Sequence, residues 1–108
     1  MEILNNNGVW NTILENNNLV FEYTSQYTNH VGEKEVILKN VPKSKDARQK
    51  MYEDICYRAQ KNVTRCQNYE AACEDYYSLF NRYERQLTAL YILINGDESG
   101  FDYGDIIA

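Results

Sequence analysis

Glycine and proline are scarce in this chain, five and one in 108 residues. So few breakers leave little room for irregular backbone, and most residues belong in helices or strands. No run approaches the ~18 apolar residues that a membrane-spanning helix requires. The opening "MEILNNNG" has neither the basic head nor the apolar stretch of a secretory leader. Hence no membrane association is expected, and a reducing, cytoplasmic setting is. The three cysteines are an odd number without a C-x-x-C pair, which points to thiols rather than a disulfide framework or a zinc site. Cys66 and Cys73, seven apart, would stand ~10.5 Å from each other along a helix, too far for a disulfide. The one histidine, His30, falls in "TNHVGEK", a turn composition that suits a solvated loop residue. Phosphate-cradling glycine loops, nucleophile elbows and metal-binding helix motifs are all missing. No enzymatic activity, cofactor or metal is therefore expected.

Positive charge is also in short supply. The net charge is −5, which discourages nucleic-acid binding by the surface at large. The distribution is uneven. Residues 1–42 carry five acids against two bases, residues 43–95 nine bases against seven acids, and residues 96–108 four acids and no base.

What is present first is a set of strand patterns. "VWNTIL" (9–14) is apolar and β-branched, and the "ENNN" after it is turn chemistry. In "LVFEYTSQYT" (19–28), Leu19, Phe21, Tyr23 and Tyr27 alternate with polar residues, as in a half-buried strand. "EVILKNV" (35–41) reads as another strand, and "MEIL" as a short edge strand turned back by "NNNG". A sheet of three or four strands exposes an apolar face that something must cover.

The cover follows Pro42. Ser44 is placed to cap a helix N-terminus, with Asp46 in its first turn, and Asn95-Gly96 is a stop signal. Between them, Tyr52, Ile55, Ala59, Asn62, Cys66, Tyr69, Cys73, Tyr76, Phe80, Tyr83, Leu87, Leu90 and Ile94 recur every three or four residues, and only Asn62 is polar. A seam of period 3.5 lets helices pack along their length. About fifty helical residues would span ~75 Å, against a radius of gyration near ~13 Å for a compact domain of this size. Either the helix continues and meets a second chain, or it breaks near "NVTRCQN" (62–68) and folds back, with Thr64 or Asn68 as a cap. The heptad runs through that stretch in phase without glycine or proline, which favours the long helix. A homo-oligomer is then expected, with Tyr52, Ile55, Asn62, Cys66, Tyr69, Cys73, Tyr76, Phe80, Tyr83 and Leu87 at its interface. Asn62 would set register there, or simply mark a helix end. The fold class is α+β in one domain: a β meander over 1–42, a long helix or helical hairpin over 43–95, and an acidic tail over 96–108.

Two stretches carry binding chemistry. Arg58, Lys61 and Arg65 lie along one helix side, three and four residues apart, and could hold a small anionic nucleotide with Tyr57 or Tyr69 stacked on its base. In the tail "NGDESGFDYGDIIA", Asp97, Glu98, Asp102 and Asp105 surround Phe101 and Tyr103. Acids interleaved with aromatics suit docking on a basic protein surface, the acids steering and the rings anchoring.

In size and composition, the chain resembles the small, acidic, Asn- and Tyr-rich proteins with which bacteriophages and mobile elements block host defence, anti-CRISPR proteins among them. The resemblance implies a non-catalytic inhibitor acting in the host cytoplasm by occupying a partner protein's binding surface. Two alternatives come from other classes. One is an oligomeric trap for a small nucleotide at Arg58, Lys61 and Arg65; the other is a phage structural or scaffold protein whose seam is its whole purpose.

Overall fold

The computed structural model describes residues 2–26, 29–67 and 73–108, without the side chains of residues 66, 67 and 73–75. Four strands come first: β1 (Glu2–Asn6), β2 (Trp10–Glu15), β3 (Asn18–Tyr23) and β4 (Lys34–Leu38). They pair antiparallel in the order β1-β2-β3-β4, so the short opening segment does join as an edge strand. Asparagine builds the turns. Asn6 Oδ1 accepts from the Gly8 N–H (2.7 Å), and Asn7 Oδ1 from the N–H groups of Val9 and Trp10 (2.9 and 3.0 Å). Asn16 and Asn17 both adopt positive φ, 54° and 64°, the two-residue hairpin turn whose twist suits the flanking strands.

Two strands end earlier than the sequence pattern suggests. β3 stops at Tyr23, and Tyr27 lies outside the described residues. β4 stops at Leu38 because the chain turns at Asn40, φ 57°. The N–H groups of Asn40 and Val41 leave the ladder and bond to Asn18 Oδ1 (3.2 Å) and Asn17 O (2.8 Å). The exit from the sheet is thereby tied to the β2–β3 turn.

Two helices follow, α1 (Lys45–Gln67) and α2 (Cys73–Asn95), each of 23 residues. Ser44 caps α1 as expected: its Oγ accepts from the Ala47 N–H at 3.1 Å, and its carbonyl from the Arg48 N–H at 3.0 Å. Gly96, at φ 95°, ends α2 and donates its N–H to Ile92 O (2.8 Å). The helices pack as a hairpin. The rings of Tyr52 and Tyr91 meet at 6.0 Å, and Asn62 Nδ2 donates to the Tyr83 hydroxyl at 2.8 Å. Advancing along α1 from the first pair to the second means retreating along α2, which is the signature of an antiparallel pair.

The single long helix is thus corrected to a hairpin, and the reason is geometric. A seam folded back at its middle buries the same stripe that a second chain would bury. Helices of ~35 Å also fit a molecule 40 × 37 × 24 Å in extent, with a radius of gyration of 14.4 Å.

The core lies between the hairpin and one sheet face. Leu19, Phe21, Ile37 and Val41 meet Ile55, Ala59 and Val63 of α1 and Tyr83, Leu87, Ala89 and Leu90 of α2, all buried. Each fully buried Leu, Ile or Phe contributes about 1.5–3 kcal/mol, so this interlayer contact is what holds the hairpin on the sheet. The opposite sheet face carries an apolar row, Ile3, Ile13, Val20 and Val36, aligned by the strand register. Its centre is hidden: Ile13 and Val20 are buried, while Ile3 and Val36 stay half exposed at the rims. Lys34 Nζ bonds Glu15 Oε2 at 3.2 Å. The register puts those two residues beside opposite ends of β3, so the bridge passes over Val20 and its methylene stems shield the row.

After Gly96 the chain returns to the hairpin and ends in one short turn of helix, α3 (Tyr103–Ile106), started by Asp102, whose carboxylate accepts from the Asp105 N–H at 3.2 Å.

Candidate functional site

The tail does not leave the molecule. Tyr103 is buried, its ring packs edge-on against Phe80 (centroids 4.9 Å apart), and its hydroxyl donates to Phe80 O at 2.8 Å. Burial pushes this phenol well above its ordinary pKa of 10, and the negative charge of Glu84 adds to the shift. Phe101 packs on Tyr91 at 5.5 Å, and the Tyr91 hydroxyl donates to Ser99 O at 2.9 Å. Gly100 makes this approach possible. It sits at φ 84°, and a Cβ there would stand 3.1 Å from the Tyr91 hydroxyl. Ile106 and Ile107 also pack against the core.

Docked in this way, the tail closes one side of a groove of about 680 Å³, within the size range of ligand clefts. Three walls meet. The sheet supplies Trp10 and Phe21, whose rings stack at 4.9 Å with planes 22° apart, and Asn7, whose side chain shapes the turn that presents Trp10. α2 supplies Asn81, Glu84, Arg85 and Thr88, spaced so that all four share one helical face. The tail supplies Glu98, Phe101, Asp102, Tyr103 and Gly104.

Charge in the groove is one-sided. Among the described residues its only cation is Arg85, which is held elsewhere: Nη1 lies 2.9 and 3.1 Å from the two Glu35 carboxylate oxygens. Glu84 and Glu98 form no ion pair with any described residue, and the Asp102 carboxylate accepts the helix-capping N–H of Asp105. Thr88 turns its hydroxyl back to Glu84 O (2.6 Å). The groove therefore offers three carboxylates beside the half-buried Trp10 ring, which Phe21 backs from the core, a surface that attracts cations and their hydrocarbon stems.

The other residues singled out by sequence fall as follows. Ile55 and Leu87 are fully buried inside the single chain, Tyr83 is nearly so, and Tyr52, Asn62, Tyr76 and Phe80 are half-buried against it. At these positions, the seam is covered by its own other half. Tyr69 and the side chains of Cys66 and Cys73 lie outside the described residues. Arg58, Lys61 and Arg65 are exposed on α1 and line neither this groove nor the one beside β4 described below. They make no ion pair with described residues. Of the tail residues, Glu98, Phe101, Asp102 and Tyr103 reach the groove, while Asp97 instead accepts from the Ser99 N–H (3.0 Å) and Asp105 stays exposed. Tyr103 is committed to the chain's own core, so it supports the groove from beneath rather than projecting to anchor elsewhere.

Trp10, Phe21, Asn81 and Glu84 were not singled out from sequence. The available signals were a lone tryptophan opening a strand and a polar face on α2 flanking the apolar seam. Among the described residues, no cluster of His, Cys, Asp and Glu could hold a metal ion, and no helix is long and apolar enough to cross a membrane. Compared with known proteins, the chain matches no family model, no curated protein and no solved structure.

Proposed function

We propose that the protein is a non-catalytic inhibitor that occupies the basic surface of a nucleic-acid-binding partner. The observation that carries this reading is the groove itself, with Glu84, Glu98 and Asp102 around the Trp10–Phe21 stack and the Arg85 guanidinium that lines it already engaged. Arginine and lysine side chains that normally meet phosphates would find carboxylates at the rim and an aromatic face below. Such contacts gain both Coulomb attraction and cation–π energy. A host defence protein displaying such a surface would be blocked by competition with its nucleic acid, in keeping with the resemblance in size and composition.

Trp10 is the chain's only tryptophan, so its emission reports on the groove directly. An Arg-Gly repeat peptide should change that emission saturably, and the protein should compete with a nucleic acid for the peptide. The double variant Glu84→Gln/Glu98→Gln should weaken binding by about tenfold, equivalent to about 1.4 kcal/mol. Asp54→Asn, which removes an exposed acid on α1, should leave it within about twofold. Equal loss in the two variants would mean that diffuse negative charge, not the groove, binds the peptide, and the reading would fail.

A further inference from the structure

A second groove, of about 630 Å³, lies beside β4 and has the opposite character. β4 is the last strand of the sheet, so one of its edges is unpaired. The register shows what that edge offers. The Tyr23 N–H donates to Glu33 O (3.0 Å) and Tyr23 O accepts from the Gly32 N–H (2.8 Å), so Tyr23 points its backbone groups toward β4. Antiparallel ladders alternate; two residues on, Phe21 and Glu35 form the next mutually bonded pair. Lys34 and Val36 then aim their N–H and C=O groups away from the sheet. No described residue bonds to those of Val36. Beyond, at the bulge opposite Leu19, the Ile37 carbonyl is met by Gln86 Nε2 of α2 at 3.2 Å.

The far wall of the groove is α2, through Asn81, Arg82, Arg85 and Gln86. Arg85 and Glu35 neutralise each other, but Lys39 and Arg82 have no carboxylate partner among the described residues. The Arg82 guanidinium carbon stands 5.6 Å from the centre of the neighbouring Tyr83 ring. In a chain of net charge −5, this is a positive cleft beside an open strand edge.

We infer that this cleft binds an extended acidic segment of a partner protein, which adds to β4 as a fifth strand. The alternation of strand side chains specifies the segment. Residues facing α2, on the side of Glu35, would meet Arg82 and Lys39 and should be Asp or Glu. Residues facing the other way would lie beside Val36, 48% exposed, and should be β-branched and apolar. Generic strand pairing is discouraged here, because β4 is short, charged and bulged. Along β4, a second copy offers only the Glu35 carboxylate, already engaged by Arg85, so Lys39 and Arg82 would stay unpaired. The inference is independent of the cation-binding groove, and its test uses none of the residues tested there.

The probe is a fluorescein-labelled DVDVDV peptide, measured by anisotropy against the full chain. It should bind at least about tenfold more tightly than DDDVVV, which has the same charge in a different order. Alternating N-methylation of its backbone should cost at least about tenfold. Val36→Pro removes the outward N–H while sparing the ladder and should do the same. Should that variant not fold, Arg82→Glu, on an exposed position, should still reduce binding at least about tenfold. Indifference to peptide order and to N-methylation would overturn strand addition. A twelve-residue oligothymidylate that binds more tightly than the peptide, with equal dependence on Arg82, would assign the cleft to nucleic acid instead. A concentration-dependent dimer abolished by Val36→Pro would assign the edge to a second copy.

Discussion

Tyr103→Ala tests whether the tail is an integral part of the domain. The ring is 6% exposed, packs on Phe80 and Glu84's neighbourhood in α2, and donates one hydrogen bond to Phe80 O. Truncating a buried aromatic side chain costs about 3–5 kcal/mol. The lost hydrogen bond adds little, because Phe80 O is a helical carbonyl with a second opportunity to bond. The tail can also give way locally, which argues for the lower end, about 3 kcal/mol. A domain of this size has total stability of about 5–15 kcal/mol, so the loss is large. At about 4 °C per kcal/mol, Tm should fall by about 12 °C. Tyr103→Phe, which keeps the ring and removes only that hydroxyl, should cost no more than about 0.5 kcal/mol. Urea unfolding followed by far-ultraviolet circular dichroism gives the global figure, and Trp10 emission reports the groove wall that the tail completes. If Tyr103→Ala left both the midpoint and the Trp10 signal unchanged, the docked tail would contribute nothing to the fold, and the groove would lose its third wall.

Three further outcomes follow from the packing. Tyr83→Phe should cost about 1 kcal/mol by stranding the Asn62 amide inside the hairpin; adding Asn62→Leu should recover much of that loss, and a strictly additive urea result would refute the cross-hairpin bond. Ser44→Ala should destabilise by about 1 kcal/mol through loss of the cap on α1, with Ser44→Asp close to wild type in the same assay. Burial raises the pKa of Tyr52 and of Tyr103 above 10, and less strongly that of Tyr23, where the hydrogen bond to Glu35 also contributes. The unfolded chain loses those protons first, so their stabilisation is complete below pH about 10 and is lost as pH rises through the higher folded values. Thermal melts between pH 9 and 12 should show that decline, and Tyr52→Phe should flatten it; an unchanged slope would refute the assignment.

Much of the architecture was legible because its causes are local. "ENNN" makes a hairpin turn since asparagine tolerates positive φ, Ser44 caps because its hydroxyl reaches an N–H three residues on, and Gly96 stops α2 for want of a Cβ. The candidate site was legible in part. Glu98, Phe101, Asp102 and Tyr103 stood out as acids among aromatics, but their chemistry as a groove needs Trp10, Phe21 and Glu84, far away in the chain. The hairpin was not legible. A seam of period 3.5 looks the same whether it meets a second chain or its own second half, and no glycine or proline marks the reversal.

The sequence by itself determined an α+β chain with a meander of three or four strands, two capped helix ends, an apolar seam and a tail of acids and rings, because each follows from interactions within a few residues. Tertiary structure alone decided that the seam closes on itself, that Tyr103 turns inward, and that α2 separates an acidic aromatic groove from a basic strand edge. These outcomes depend on which distant surfaces meet, and burial area, not local preference, selects among them.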